Sequence, residues 1–240
     1  MAVASASKAR FLTFREAYEL LVKPSEGPVS KRLNRHVSIR ITLFLIRHGI
    51  APSPTGMSII SFLTGLASGA LFALGWPLVG GLLAQMASIL DGCDGEIARL
   101  TGRVSKRGGI IDAVLDRVAD AAIIAGLSLY ALCLGQPPSW LRPYWPAWPL
   151  PWPYFVLLLL VLSLSGSFSV SYFSAISRAL ASYQPKRFIG TRDVRLFTIM
   201  LAGLTCFFLP WASTIYMALL SLMTWAEVAN CLGQVVKLRE

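Results

Sequence analysis

The chain has 240 residues, 55% of them hydrophobic and only 14% charged, and a mean hydropathy of +0.61. Soluble globular domains devote about 25% of their residues to Asp, Glu, Lys and Arg, so an ordinary cytosolic enzyme, a disordered chain and a secreted disulfide scaffold are excluded. The net charge of +10 is spread as punctuation between apolar runs, which argues against a nucleic acid partner and for membrane lipids and phosphorylated substrates.

In chain order, residues 1–22 lack a continuous apolar core ending in small residues, so no signal peptide is expected. Residues 28–49 mix Lys and Arg with Leu, Ile and Phe, the pattern of an amphipathic helix lying on the cytoplasmic surface. Six apolar segments follow, at roughly 57–74, 77–100, 109–134, 154–181, 195–209 and 212–236. Each is read as a transmembrane helix, since about 20 apolar residues cross a bilayer. The basic residues gather in the N-terminal arm, the second and fourth connections and the C-terminus, which puts both termini in the cytoplasm. The expected fold is therefore an all-α integral, multi-pass cell-membrane protein with six transmembrane helices and an N-terminal surface helix. Residues 1–52 form the cytoplasmic arm and 53–240 the membrane domain. Residues 136–153 hold four of the seven Trp and read as an outer interfacial loop, with a carbohydrate-binding shelf as the alternative. Cys93, Cys133, Cys206 and Cys231 are far apart, without a CxxC pair, and suggest neither zinc nor a disulfide frame.

Six of the twelve acidic residues fall between Asp91 and Asp120. Ionised groups inside membrane segments are costly and usually face a cavity, a partner or an ion. Asp91 and Asp94 are three apart and Asp112 and Asp116 four apart, so each pair shares a helix face. The short connection 100–108 lets the two faces meet. Four converging carboxylates require cations, and hard oxygen donors without His or Cys suit Mg²⁺ or Mn²⁺. Two such ions are the usual device for displacement at phosphorus. The small residues Gly92, Gly95, Ala98, Gly108 and Gly109 allow close approach, and Arg99, one turn beyond Gly95, can bind phosphate. Asp120 lies outside this pattern and reads as a partner for Arg117, while Glu96 and Arg103 read as boundary residues.

These residues fit D-x2-D-G-x2-A-R-x8-G-x3-D-x3-D at every fixed position, from Asp91 to Asp116. The segment resembles the signature of the CDP-alcohol phosphotransferases (CDP-alcohol phosphatidyltransferases). The resemblance implies that Asp91, Asp94, Asp112 and Asp116 hold two Mg²⁺ or Mn²⁺ ions. It makes Asp112 and Asp116 catalytic, Asp116 being the general base, and implies that Gly95, Ala98, Arg99 and Gly108 shape the CDP site. The acceptor hydroxyl would attack the β-phosphorus of a CDP-alcohol donor and CMP would leave, in an enzyme that works as a homodimer with its site facing the cytoplasm. The family often has Pro-Asn before the first span, where this chain has Pro54-Thr55.

Lys186, Arg187, Arg192 and Arg195 suit the phosphate of a phosphorylated acceptor, and membrane anchoring explains them equally. Residues 23–38 resemble the stretch before the first span of di-myo-inositol-phosphate-phosphate synthases, so the expected reaction joins CDP-inositol to inositol phosphate. The alternative is a phosphatidyltransferase of phospholipid biosynthesis using CDP-diacylglycerol or an archaeal ether lipid. That enzyme would take inositol phosphate, glycerol phosphate or serine as acceptor. A cation transporter with an Asp-lined site is the reading from another class, and it lacks duplicated halves.

Overall fold

A computed structural model describes residues 11–22, 26–50, 52–139, 150–181, 183 and 185–237. Residues 140–149, most of the aromatic stretch expected at the outer interface, lie outside it, as do the two ends of the chain. Every regular element among the described residues is a helix. Two short α-helices, α1 (Phe14–Leu21) and α2 (Arg35–Arg47), the second led in by a π-helical turn at Ser30–Asn34, precede six longer ones. These are α3 (Pro54–Ala73), α4 (Pro77–Thr101), α5 (Lys106–Leu134), α6 (Trp152–Ala181), α7 (Arg192–Cys206) and α8 (Ala212–Val236).

Local sequence sets the boundaries. Thr13 and Glu16 form a reciprocal cap on α1. Ser53 caps α3, whose first residue is Pro54, and proline is well tolerated there because the first helical N–H has no partner in any case. Gly102 ends α4 in the left-handed conformation at φ 70°, open to glycine at little cost. Ser105 restarts the chain as α5, its hydroxyl accepting the Gly108 N–H at 3.0 Å.

All six apolar segments are helices, but the expectation of six spans is not met. Among the described residues four are long and apolar enough to cross a membrane: Pro54–Ala73, Lys106–Leu134, Trp152–Leu180 and Ala212–Val236. The protein is an integral, multi-pass membrane protein on those four. The other two fall short for different reasons. Helix α7 has 15 residues, about 22 Å at 1.5 Å each against a hydrocarbon core of roughly 30 Å. Helix α4 has 25 residues, but Gln85, Asp91, Asp94, Glu96 and Arg99 dilute its apolar character.

Inside lipid, helices gain little from hydrophobic transfer and associate through close packing instead. Helix α3 packs against both α4 and α5. Its Gly69 meets Gly126 of α5 backbone to backbone, leaving no room for a Cβ on either. Gly81 of α4 and Gly203 of α7 make a second such crossing. Between these crossings, Phe72, Ile123, Leu127, Ile199 and Leu220 fill the bundle core. Helix α2 lies against α4 and turns Ser38, Ile39, Thr42, Leu43 and Ile46 inward.

Candidate active site

The α4–α5 hairpin carries the four signature carboxylates at the end of the bundle where α7 begins. One carboxylate oxygen each from Asp91, Asp112 and Asp116 lies within 4.8 Å of the others. Asp94 accepts a hydrogen bond from the Ser58 hydroxyl of α3 and, with Asp112, lines the adjoining cavity. The helical spacing therefore does bring the two acidic faces together, with α3 supplying a polar partner that the motif does not include.

A guanidinium enters this cluster from α7. Arg192 Nη1 lies 2.8 Å from Asp91 and 2.9 Å from Asp116, and Arg192 Nε donates to Asp120 at 3.0 Å. Arg195 Nη2 donates to the second Asp120 oxygen at 2.7 Å, and its Nη1 to the Gly190 carbonyl at 2.7 Å. Asp120 thus anchors two arginines of α7, while Arg117 Nη2 stands 3.7 Å from Asp116 and 3.8 Å from Asp120. A partly buried carboxylate group of this density is tolerable only with cations interleaved.

Beside the cluster, a cavity of about 290 Å³ is lined by Ser58, Asp94, Gly95, Ala98, Arg99 and Arg103 on one side, and Gly108, Gly109 and Asp112 on the other. All four residues expected at the CDP site border it. Pro54 and Thr55 also line it, so the position where the family often has Asn contacts the same space. Arg99 Nε and Nη2 are buried without a hydrogen-bond partner. An unpartnered buried donor is costly, and here it faces a cavity large enough for a phosphate-bearing ligand.

The donor set fits a hard divalent ion. It consists of carboxylate oxygens, with neither His nor thiolate among them, and their separations suit shared ligation of the kind Mg²⁺ and Mn²⁺ accept. Asp91, Asp112 and Asp116 would be the first ligands, with Asp94 reaching in from the adjoining cavity.

The four basic residues expected at the acceptor separate into two groups. Arg192 and Arg195 are drawn into the carboxylate network. Lys186 and Arg187 sit in the loop before α7, with Lys186 exposed. Burial pulls the Arg187 guanidinium below its ordinary value, and nearby Arg178 and Arg117 add to that pull. Arg178 of α6 and Arg117 of α5 therefore contribute to the positive field around Arg187, a relation that their spacing in sequence does not announce.

Glu96 is the clearest departure from the boundary role expected of it. It is fully buried and receives Arg35, Ser38 and Thr42 of α2. Arg35 also pairs with Glu26 at 2.8 and 2.9 Å. Burial works against the Arg35 charge, but the two glutamates outweigh it and hold the guanidinium above its ordinary value.

Residues 52–231 match the CDP-alcohol phosphatidyltransferase family. The chain belongs to that family. A bifunctional IPC transferase and DIPP synthase of Rubrobacter xylanophilus is 39% identical over 188 residues, 75% of this chain and 37% of its own length. The chain thus spans well under half of that curated relative. An archaetidylinositol phosphate synthase of Pyrococcus horikoshii is 39% identical over 93 residues, 39% of this chain and 48% of its own. Among solved structures, Mycobacterium tuberculosis phosphatidylinositol phosphate synthase in complex with manganese and citrate is similar with a TM-score of 0.64 at 25% identity. That match covers 83% of this chain and 89% of that one. Family membership removes the transporter reading.

Proposed function

We propose that this protein transfers a phosphatidyl-type group from a CDP-lipid to a hydroxyl of an inositol phosphate, releasing CMP. The carrying observation is the surroundings of the donor cavity. Thr55 lines it, and the same face of the spanning helix α3 continues at Ile59 and Leu63, which are 45% and 55% exposed. A diphosphate in the cavity would have its lipid chains laid along this apolar track, within the bilayer. The Pyrococcus and Mycobacterium relatives, each named for synthesis of a lipid inositol phosphate, support the same donor class.

In this reading Arg99 pairs with the diphosphate of the donor, and Gly95, Ala98, Gly108 and Gly109 let the nucleotide approach the helix backbones. Asp116 takes the proton of the acceptor hydroxyl, whose oxygen then attacks the β-phosphorus as the bond to CMP breaks. Divalent ions on Asp91, Asp94, Asp112 and Asp116, two in number, would neutralise the diphosphate and stabilise the charge that develops on CMP. Arg187 would receive the phosphate of the acceptor, in the positive field to which Arg178 and Arg117 contribute.

A second reading shares the acceptor and changes the donor. The Rubrobacter relative is similar over three quarters of the chain, which favours CDP-inositol as the donor and a water-soluble diester as the product. Purified protein with labelled inositol phosphate and Mg²⁺ separates the two. Label passing into the organic phase with CDP-diacylglycerol or its ether counterpart supports the lipid donor. Label staying in water, with CMP released only from CDP-inositol, overturns it.

A further inference from the structure

The loop that presents Arg187 is fastened to α8 by one polar face of that helix. Glu227, Asn230 and Gln234 are three and four residues apart and so share a side of the helix. Glu227 is buried at 2% exposure, an expensive place for a carboxylate in a membrane helix unless its oxygens are filled. One of them, Oε2, accepts three consecutive backbone N–H groups: Phe188 at 3.0 Å, Ile189 at 2.7 Å and Gly190 at 2.8 Å. The other accepts from Asn230 at 2.8 Å. Gln234 Oε1 accepts the Lys186 N–H at 2.8 Å and the Tyr183 hydroxyl at 3.0 Å. Gln234 Nε2 donates to the Lys186 carbonyl at 2.7 Å. Gly190 packs so closely on Glu227 that a Cβ there would collide with its side chain.

Three successive N–H groups converging on one point are the kind of backbone concavity that binds anions. Here the anion is supplied by the protein itself. The consequence reaches the site by a continuous path. Gly190, held through its N–H by Glu227, uses its carbonyl to hold Arg195. Arg195 holds Asp120, and Asp120 holds Arg192 among the carboxylates. In the other direction along the chain the clamp holds the backbone of Lys186 and Phe188, on either side of Arg187.

We propose that Glu227 is the positioning residue for the acceptor phosphate, acting through the loop it clamps. The proposal rests on the acceptor reading above. Glu227 belongs neither to the lining of the cavity nor to the carboxylate cluster, so its loss acts first on the loop that carries Arg187 and reaches the carboxylates only through Arg195, Asp120 and Arg192.

The test compares wild type with Glu227→Gln, which keeps the shape and removes the charge, and with Glu227→Asp, which keeps the charge one methylene short. Gln234→Ala, in a half-buried position near the end of α8, is the milder variant should a Glu227 variant fail to fold. KM is measured separately for the CDP-alcohol donor and for inositol phosphate, with free inositol as the acceptor lacking the phosphate. Exchange of the amide hydrogens of 188–190 is followed alongside. The expected result for Glu227→Gln is a rise of roughly tenfold in the inositol phosphate KM, the size of one lost charge-assisted hydrogen bond. The donor KM and the KM for free inositol change less than twofold, and exchange at 188–190 speeds up. Glu227→Asp restores part of the affinity, and Gln234→Ala shows a smaller rise of about threefold. A wild type that requires the phosphate, with an unchanged inositol phosphate KM in Glu227→Gln and Gln234→Ala, overturns the clamp alone. A wild type indifferent to the phosphate overturns the acceptor reading, and the clamp with it.

Discussion

Asp91, Asp112 and Asp116 share a space in which three carboxylates repel one another unless cations stand between them, and the residues around them divide the work. Arg192 ion-pairs with Asp91 and Asp116 from α7, Ser58 fixes Asp94, and Arg99 borders the cavity with Nε and Nη2 buried and unpartnered. The place of Arg99 on the cavity wall gives a prediction. Arg99→Gln should raise the donor KM by about ten- to a hundredfold, the loss of one charge-assisted phosphate contact, with the inositol phosphate KM nearly unchanged. Steady-state kinetics with each substrate varied in turn checks it. The four signature acids were legible in the sequence because spacings of three and four are local properties of a helix. Arg192 was legible as a cation but not as their partner, since its contacts join α7 to α4 and α5 across 101 and 76 positions of chain. Glu227 carries no motif and stands alone in an apolar run, which is itself the signal that could have singled it out.

At the scale of elements, the hairpin of α4 and α5 could be read from Gly102 and Ser105, whereas the bracing of α4 by α2 could not. Glu96 sits among signature residues at a position the signature leaves free, and only the fold shows that α2 satisfies its carboxylate three times over. Glu96→Ala would leave Arg35 and two hydroxyls facing an apolar gap. Breaking one side of a buried ion pair costs about 3–5 kcal/mol, so this variant should unfold at a clearly lower temperature in detergent. Arg35→Ala should behave similarly, and the double variant should cost less than the sum of the two. A double-mutant cycle on thermal unfolding measures this directly, and strict additivity would contradict a direct coupling. The count of spans failed at the same scale. Hydropathy located all six helices, but α4 carries four charged residues in its second half and α7 is only 15 residues long.

For the whole molecule, composition placed the chain in a membrane and the signature placed its reaction class. What neither could provide is the arrangement linking the cavity beside the cluster to the apolar face of α3, or the entry of Arg192 from α7 among the acids of α4 and α5. The central claim is that one carboxylate cluster performs a metal-dependent displacement that releases CMP. The most direct measurement is CMP release by purified protein with a CDP-lipid, inositol phosphate and Mg²⁺. Wild type is compared with Asp116→Asn and with wild type treated with a chelator. The account predicts release by wild type, a fall of at least about a thousandfold in folded Asp116→Asn, and loss on chelation that Mg²⁺ or Mn²⁺ reverses. CMP release that continues undiminished in Asp116→Asn, or after chelation, would contradict it.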